Sequence, residues 1–96
     1  MTLKDIVRDM LAEHKQKASY QLANRVVRKA PRLMKAKNLG RKTANFFVLR
    51  NNIVPSILIE VGYLTNTHEE KMLSSSIYRQ HTAEAIAESI LDYAQN

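Results

Sequence analysis

One eight-residue run, Ser56-Ile57-Leu58-Ile59-Glu60-Val61-Gly62-Tyr63, constrains the fold of this chain more than any other stretch. It is almost unbroken in apolar and β-branched residues, the pattern of a strand in a sheet covered on both faces. Such a strand calls for an α/β layered architecture rather than a half-wet hairpin. Alternation along it places Leu58, Glu60 and Gly62 on one face and Ile57, Ile59, Val61 and Tyr63 on the other. A carboxylate in that setting is costly to desolvate unless it meets a cation, a metal or a set of donors. Glu60 is therefore either paired, with Arg50 as the nearby base, or functional, and Gly62 leaves room for a ligand or a second backbone to come close.

The rest of the chain reads mainly as helix. Leu3, Ile6, Val7, Met10 and Leu11 share one helical face, with Thr2 as cap and Asp5 three residues on to accept from the freed amides. A second pattern, Leu22, Ala23, Val26, Val27 and Ala30, begins near Ser19 and is ended or kinked by Pro31. No breaker lies between Lys15 and Lys17, so these are either two helices or one long one. Residues 31–42 read as a basic surface loop closing at Gly40, and Phe46-Phe47-Val48-Leu49 as a first short strand. Asn66 or Thr67 caps a short helix, Ser74-Ser75-Ser76 make a turn, and Ile77, Ala83, Ile86, Ala87, Ile90, Leu91 and Ala94 form the apolar stripe of a final helix. The expectation is one domain over residues 1–96 with two strands and three to four helices. Two strands are too few for an independent sheet, which points to strands missing from the chain or supplied by a partner.

Charge is distributed unevenly. Residues 1–42 hold twelve Lys or Arg against Asp5, Asp9 and Glu13, and no acid lies between His14 and Ile59. Such a segment attracts polyanions. Aromatic residues that would stack on bases are nearly absent from it, Tyr20 being the only ring before Phe46. The absence of cysteine excludes a disulfide scaffold, a thiolate zinc site and a cysteine nucleophile. No apolar run approaches the roughly 18 residues of a membrane helix, and residues 1–15 do not read as a signal peptide.

Phe47-Val48-Leu49-Arg50, then Pro55 through Asn66, then Glu69-Glu70 and Leu73, closed by an alanine-rich helix ending in Tyr93, carry a resemblance. Their order and spacing resemble the C-terminal half of the zinc-dependent N-acetylmuramoyl-L-alanine amidases, and Ser19–Ala30 and Gly40–Asn45 do so more weakly. The resemblance implies the C-terminal part of a three-layer α/β/α domain acting on peptidoglycan in the periplasm or cell wall. The bond cut would be the amide between N-acetylmuramic acid and L-alanine of the stem peptide. It further implies Glu60 as the catalytic general base beside a zinc-bound water, and offers Arg50 and Asn66 as substrate contacts.

This sequence departs from the family in its metal ligands. In the family these are two histidines and a glutamate upstream of the matched part, whereas His14, His68 and His81 here have no partner at close ligand spacing. Zinc is thus expected by resemblance with no ligands in this chain, to be completed by self-association or by a partner chain. Two other readings stand beside this one: a small basic module that binds a polyanion, and an inactive fragment that folds as an oligomer.

Overall fold

A single long helix sets the frame. The computed structural model describes residues 1–34 and 54–95. Helix α1 runs over Leu3–Met34, so the two helical patterns of the N-terminal third lie on one rod of roughly 48 Å at 1.5 Å per residue. At its start Asp5 N donates to Thr2 Oγ1 at 3.2 Å, while Thr2 N and Oγ1 donate to Asp5 Oδ2 at 3.0 and 2.8 Å. This reciprocal cap satisfies amides that have no partner within the helix, and it holds the Asp5 carboxyl below its ordinary value, the Thr2 amide contributing most. Pro31 does not end the helix. It sits in the last turn, where its missing N–H removes one bond near the helix terminus, and α1 closes at Met34. The basic loop expected over 31–42 is therefore helical at its start, and residues 35–42 lie outside the described residues.

Helix α2 covers Thr67–Ser74 and α3 covers Ser76–Gln95. The turn expected at the three serines narrows to Ser75. Its N–H donates to Met72 O at 3.1 Å to close α2, and its Oγ accepts from Tyr78 N at 3.2 Å to open α3. Arg79 Nη1 donates to Leu73 O at 2.7 Å and satisfies a further carbonyl at the end of α2.

The core lies between α1 and α3, which run antiparallel. Val26 and Ala30 are buried with Ala85, and Leu22, Met34, Ile57 and Ile59 pack against them. Thr82 and Ser89 complete the buried face of α3. Their hydroxyls donate to Tyr78 O at 2.9 Å and Ala85 O at 2.8 Å, so burial leaves neither unsatisfied. Helices approach most closely where side chains are smallest, and the buried face of α3 is accordingly Thr82-Ala85-Ser89 rather than the predicted apolar stripe. Of that stripe Ile86 is half-buried, while Ile77, Ala83, Ala87, Ile90, Leu91 and Ala94 are exposed. Leu3, Ile6, Val7, Met10 and Leu11 of α1 are exposed as well.

The expected α/β architecture is not found, because no strand occurs among the described residues. Residues 55–63 are neither helix nor strand. A strand exists only when its amides and carbonyls pair with a neighbouring strand, and here side chains take amides at both ends of the run. Ser56 N donates to Ser19 Oγ at 2.8 Å, and Tyr63 N donates to Glu69 Oε2 at 2.9 Å. Ile57 and Ile59 dock on the helices instead of facing a helical layer across a sheet. The other expected strand, Phe46–Leu49, lies outside the described residues.

Two polar links tie the far end of α3 to α1. Arg25 Nη1 meets Asp92 Oδ2 at 2.9 Å, with both side chains about one-third exposed, and Tyr93 Oη donates to Ala18 O at 3.4 Å. The Arg25 hydrogen bond holds the Asp92 carboxyl below its ordinary 3.8, against a smaller opposing effect of burial and with help from the charges of Arg25 and Lys29. A depressed carboxyl pKa contributes stability at neutral pH that is lost as pH falls through the folded-state value. Asp92→Asn should therefore melt below the wild type at neutral pH, and the two melting curves should converge once the pH is well under 3.8. A gap that persists unchanged into acid would show that the ion pair is not its source.

Candidate functional site

Glu60 lies between the core and α2, and its surroundings are set from both sides. Ile57 and Ile59 are drawn into the helical core, which turns Leu58 and Glu60 outward, and Glu60 is exposed. The apolar enclosure expected around this carboxylate is absent because no sheet layer encloses the segment among the described residues. Desolvation therefore gives no reason for its position.

On the other side a closed ring of three hydrogen bonds fastens the segment to the first turn of α2. Tyr63 N donates to Glu69 Oε2 at 2.9 Å, Glu69 N donates to Asn66 Oδ1 at 3.0 Å, and Asn66 N donates to Tyr63 O at 3.1 Å. Asn66, rather than Thr67, is the helix cap, and Glu69 reaches back past it to Tyr63. Gly62 fits beneath this ring with φ 158, where an added Cβ would lie 3.2 Å from Leu73 Cδ1. The close approach that glycine permits here is thus to α2.

The ring holds Tyr63 so that its hydroxyl donates to Glu60 Oε2 at 3.0 Å. That bond, and next the charge of Glu60, push the Tyr63 phenol above its ordinary 10.0. The strand reading could not have found this pair, because alternation puts residues 60 and 63 on opposite faces; only irregular backbone lets them meet. Arg50, the other candidate partner and substrate contact, lies outside the described residues.

Comparison with known proteins settles the family. A profile described as N-acetylmuramoyl-L-alanine amidase matches residues 6–92. The chain belongs to that family. It is 32% identical over 91 residues to N-acetylmuramoyl-L-alanine amidase AmiA of Escherichia coli, covering 95% of this chain and 32% of that protein. It is 34% identical over 94 residues to a probable N-acetylmuramoyl-L-alanine amidase AmiB of Haemophilus influenzae, covering 95% of this chain and 21% of that protein. With an uncharacterized cell wall amidase of Bacillus anthracis it shares 39% identity over 72 residues, 75% of this chain and 14% of that protein. The chain thus spans a third or less of these curated relatives. No solved structure matches it.

Amidases of this family are generally zinc-dependent, and the residues of this chain do not fit that metal. Every His, Asp and Glu of the sequence falls among the described residues. No group of three or more of them lies close enough to hold a metal ion. His14, His68 and His81 are exposed on α1, α2 and α3 respectively. Among the described residues no helix is long and apolar enough to cross a membrane.

Two outcomes test this geometry. Asn66→Ala should cost about 1 kcal/mol of stability in denaturant unfolding, and Asn66→Asp, which keeps a capping oxygen, should recover most of it. Equal losses in the two variants would contradict a capping role. In a spectrophotometric titration, Glu60→Gln should bring one tyrosine back toward 10.0, whereas an unchanged curve would show that Tyr63 does not sense Glu60.

Proposed function

We propose that residues 1–96 form one partial catalytic domain of a peptidoglycan-hydrolysing amidase, with Glu60 as its general base. The substrate bond is the amide between N-acetylmuramic acid and L-alanine of the stem peptide. In this reading Glu60 takes a proton from the attacking water and returns it to the leaving amine. Zinc, when bound, supplies the lowered water pKa and the polarised carbonyl of such sites, but its ligands come from outside this chain. What these residues contribute is the carboxylate and its setting.

The observation that carries the reading is an exposed Glu60 in the motif that matches the family. The carboxylate is held by Ile57 and Ile59 from one side and by the Tyr63 hydroxyl from the other. Exposure lets it reach a polymeric substrate. Asn66 serves it indirectly by fixing the first turn of α2, and Arg50, in the matched Val-Leu-Arg stretch, is proposed to meet an anionic group of the stem peptide. The exposed apolar side chains Ile77, Ile90 and Leu91 of α3 offer the surface against which the ligand-bearing part is proposed to pack, as a partner chain or through self-association. The proposed place of action is the periplasm or cell wall, where the substrate is found.

The test is release of stem peptides from isolated peptidoglycan in an assembly that supplies zinc ligands. Glu60→Gln should lower the rate by a factor of at least about a hundred, the scale of a lost general base, with unchanged helical content. Wild-type release by that variant would refute the assignment.

A further inference from the structure

The face of α1 beside α3 carries a feature that hydrolysis does not use. Arg28 and Lys29 lie three and four residues after Arg25, and Arg32 lies four and three after them, which places all four on one stripe of the helix. With Leu33 and Asp92 they line an open cleft of about 330 Å³ between α1 and the end of α3. None of the lining residues comes from the Glu60 segment or from α2. Four cations share the cleft with one carboxylate, and that carboxylate is engaged by Arg25 at 2.9 Å. Arg28 and Arg32 are exposed and Lys29 is half-buried, so the excess positive charge faces solvent. The stripe spans about 10 Å of helix axis, and no acid interrupts the sequence around it from His14 to Ile59.

We propose that this cleft binds a flexible phosphodiester polymer without bases, of the kind a wall-acting enzyme meets in its substrate's surroundings. The cell-wall source of the polymer rests on the amidase reading; the charge match does not. A row of guanidinium and ammonium groups suits successive phosphodiesters, since Arg pairs with them bidentately and Lys as a point charge. Duplex nucleic acid presents the same phosphates on a stiff rod, and the titration below separates it from a flexible polymer. Single-stranded nucleic acid lacks what it needs among the described residues, where no aromatic side chain lines the cleft for bases to stack on.

The experiment is a titration of the full chain with poly(glycerol phosphate) across a salt series, with single-stranded DNA, duplex DNA and inorganic phosphate as parallel arms. Binding should weaken with salt at a log–log slope of about −2 to −3 for three to four neutralised phosphates. Arg28→Gln/Arg32→Gln should lose at least about tenfold in affinity and flatten the slope by about 1.4 units, at about 0.7 per lost charge. Lys4→Gln/Arg8→Gln, which removes the same charge from the exposed start of α1, should bind as wild type. Glu60→Gln should also bind as wild type, which separates failure of this proposal from failure of the amidase reading. The proposal is overturned by absence of binding at low salt, by equal losses in the two double variants, or by either DNA binding as tightly at equal charge. Saturation by free phosphate at the same concentration as by polymer would also overturn it, by reducing the site to a single-ion contact. Unchanged circular dichroism in the Arg28/Arg32 variant keeps its loss from being a folding effect.

Discussion

The close packing of α1 on α3 at Val26, Ala30, Ala85 and Ser89 is the constraint on which the described structure depends. Among the described residues three hydrophobic side chains are buried, and Ser89 is fully so with its hydroxyl turned back onto its own helix. Small side chains bring the two helices together, and the proximity creates a shelf on which Ile57 and Ile59 settle. That docking in turn directs Glu60 outward. The position of the carboxylate thus follows from a helical seam on one side and from the Tyr63-Asn66-Glu69 ring on the other.

Local signals in the sequence were legible where their physics is local. The Thr2–Asp5 cap, the Asn66 cap and the helical character of residues 3–30 and 77–94 each depend on neighbours within a turn, and each is present. Glu60 stood out as a charge in an apolar run, and the motif around it led to the family. What failed depended on distant partners. Ser19 Oγ takes the Ser56 amide across 37 positions of sequence, a competitor for sheet pairing that periodicity does not reveal. The face of α3 that packs is chosen by how closely α1 can approach, which favoured Ala85 and Ser89 over the larger Ile90 and Leu91. The Arg25–Asp92 link likewise joins residues 67 positions apart.

Membership in the amidase family and the ligand inventory of this chain pull in different directions, and the structure separates them physically. The catalytic carboxylate proposed here needs only a short segment anchored by two isoleucines and a tyrosine. A zinc site needs three or more donors converging within a few ångströms, and the histidines of this chain are spread over three helices. The two halves of such a mechanism can therefore reside on different pieces of polypeptide. The exposed apolar residues of α1 and α3 are consistent with a surface built to be covered.

If this chain carries the carboxylate of an amidase site without its metal ligands, calorimetric titration of the purified chain with zinc at neutral pH should show no stoichiometric binding tighter than that of scattered surface histidines. One tightly bound zinc per chain, lost when His14, His68 or His81 is changed to alanine, would contradict it.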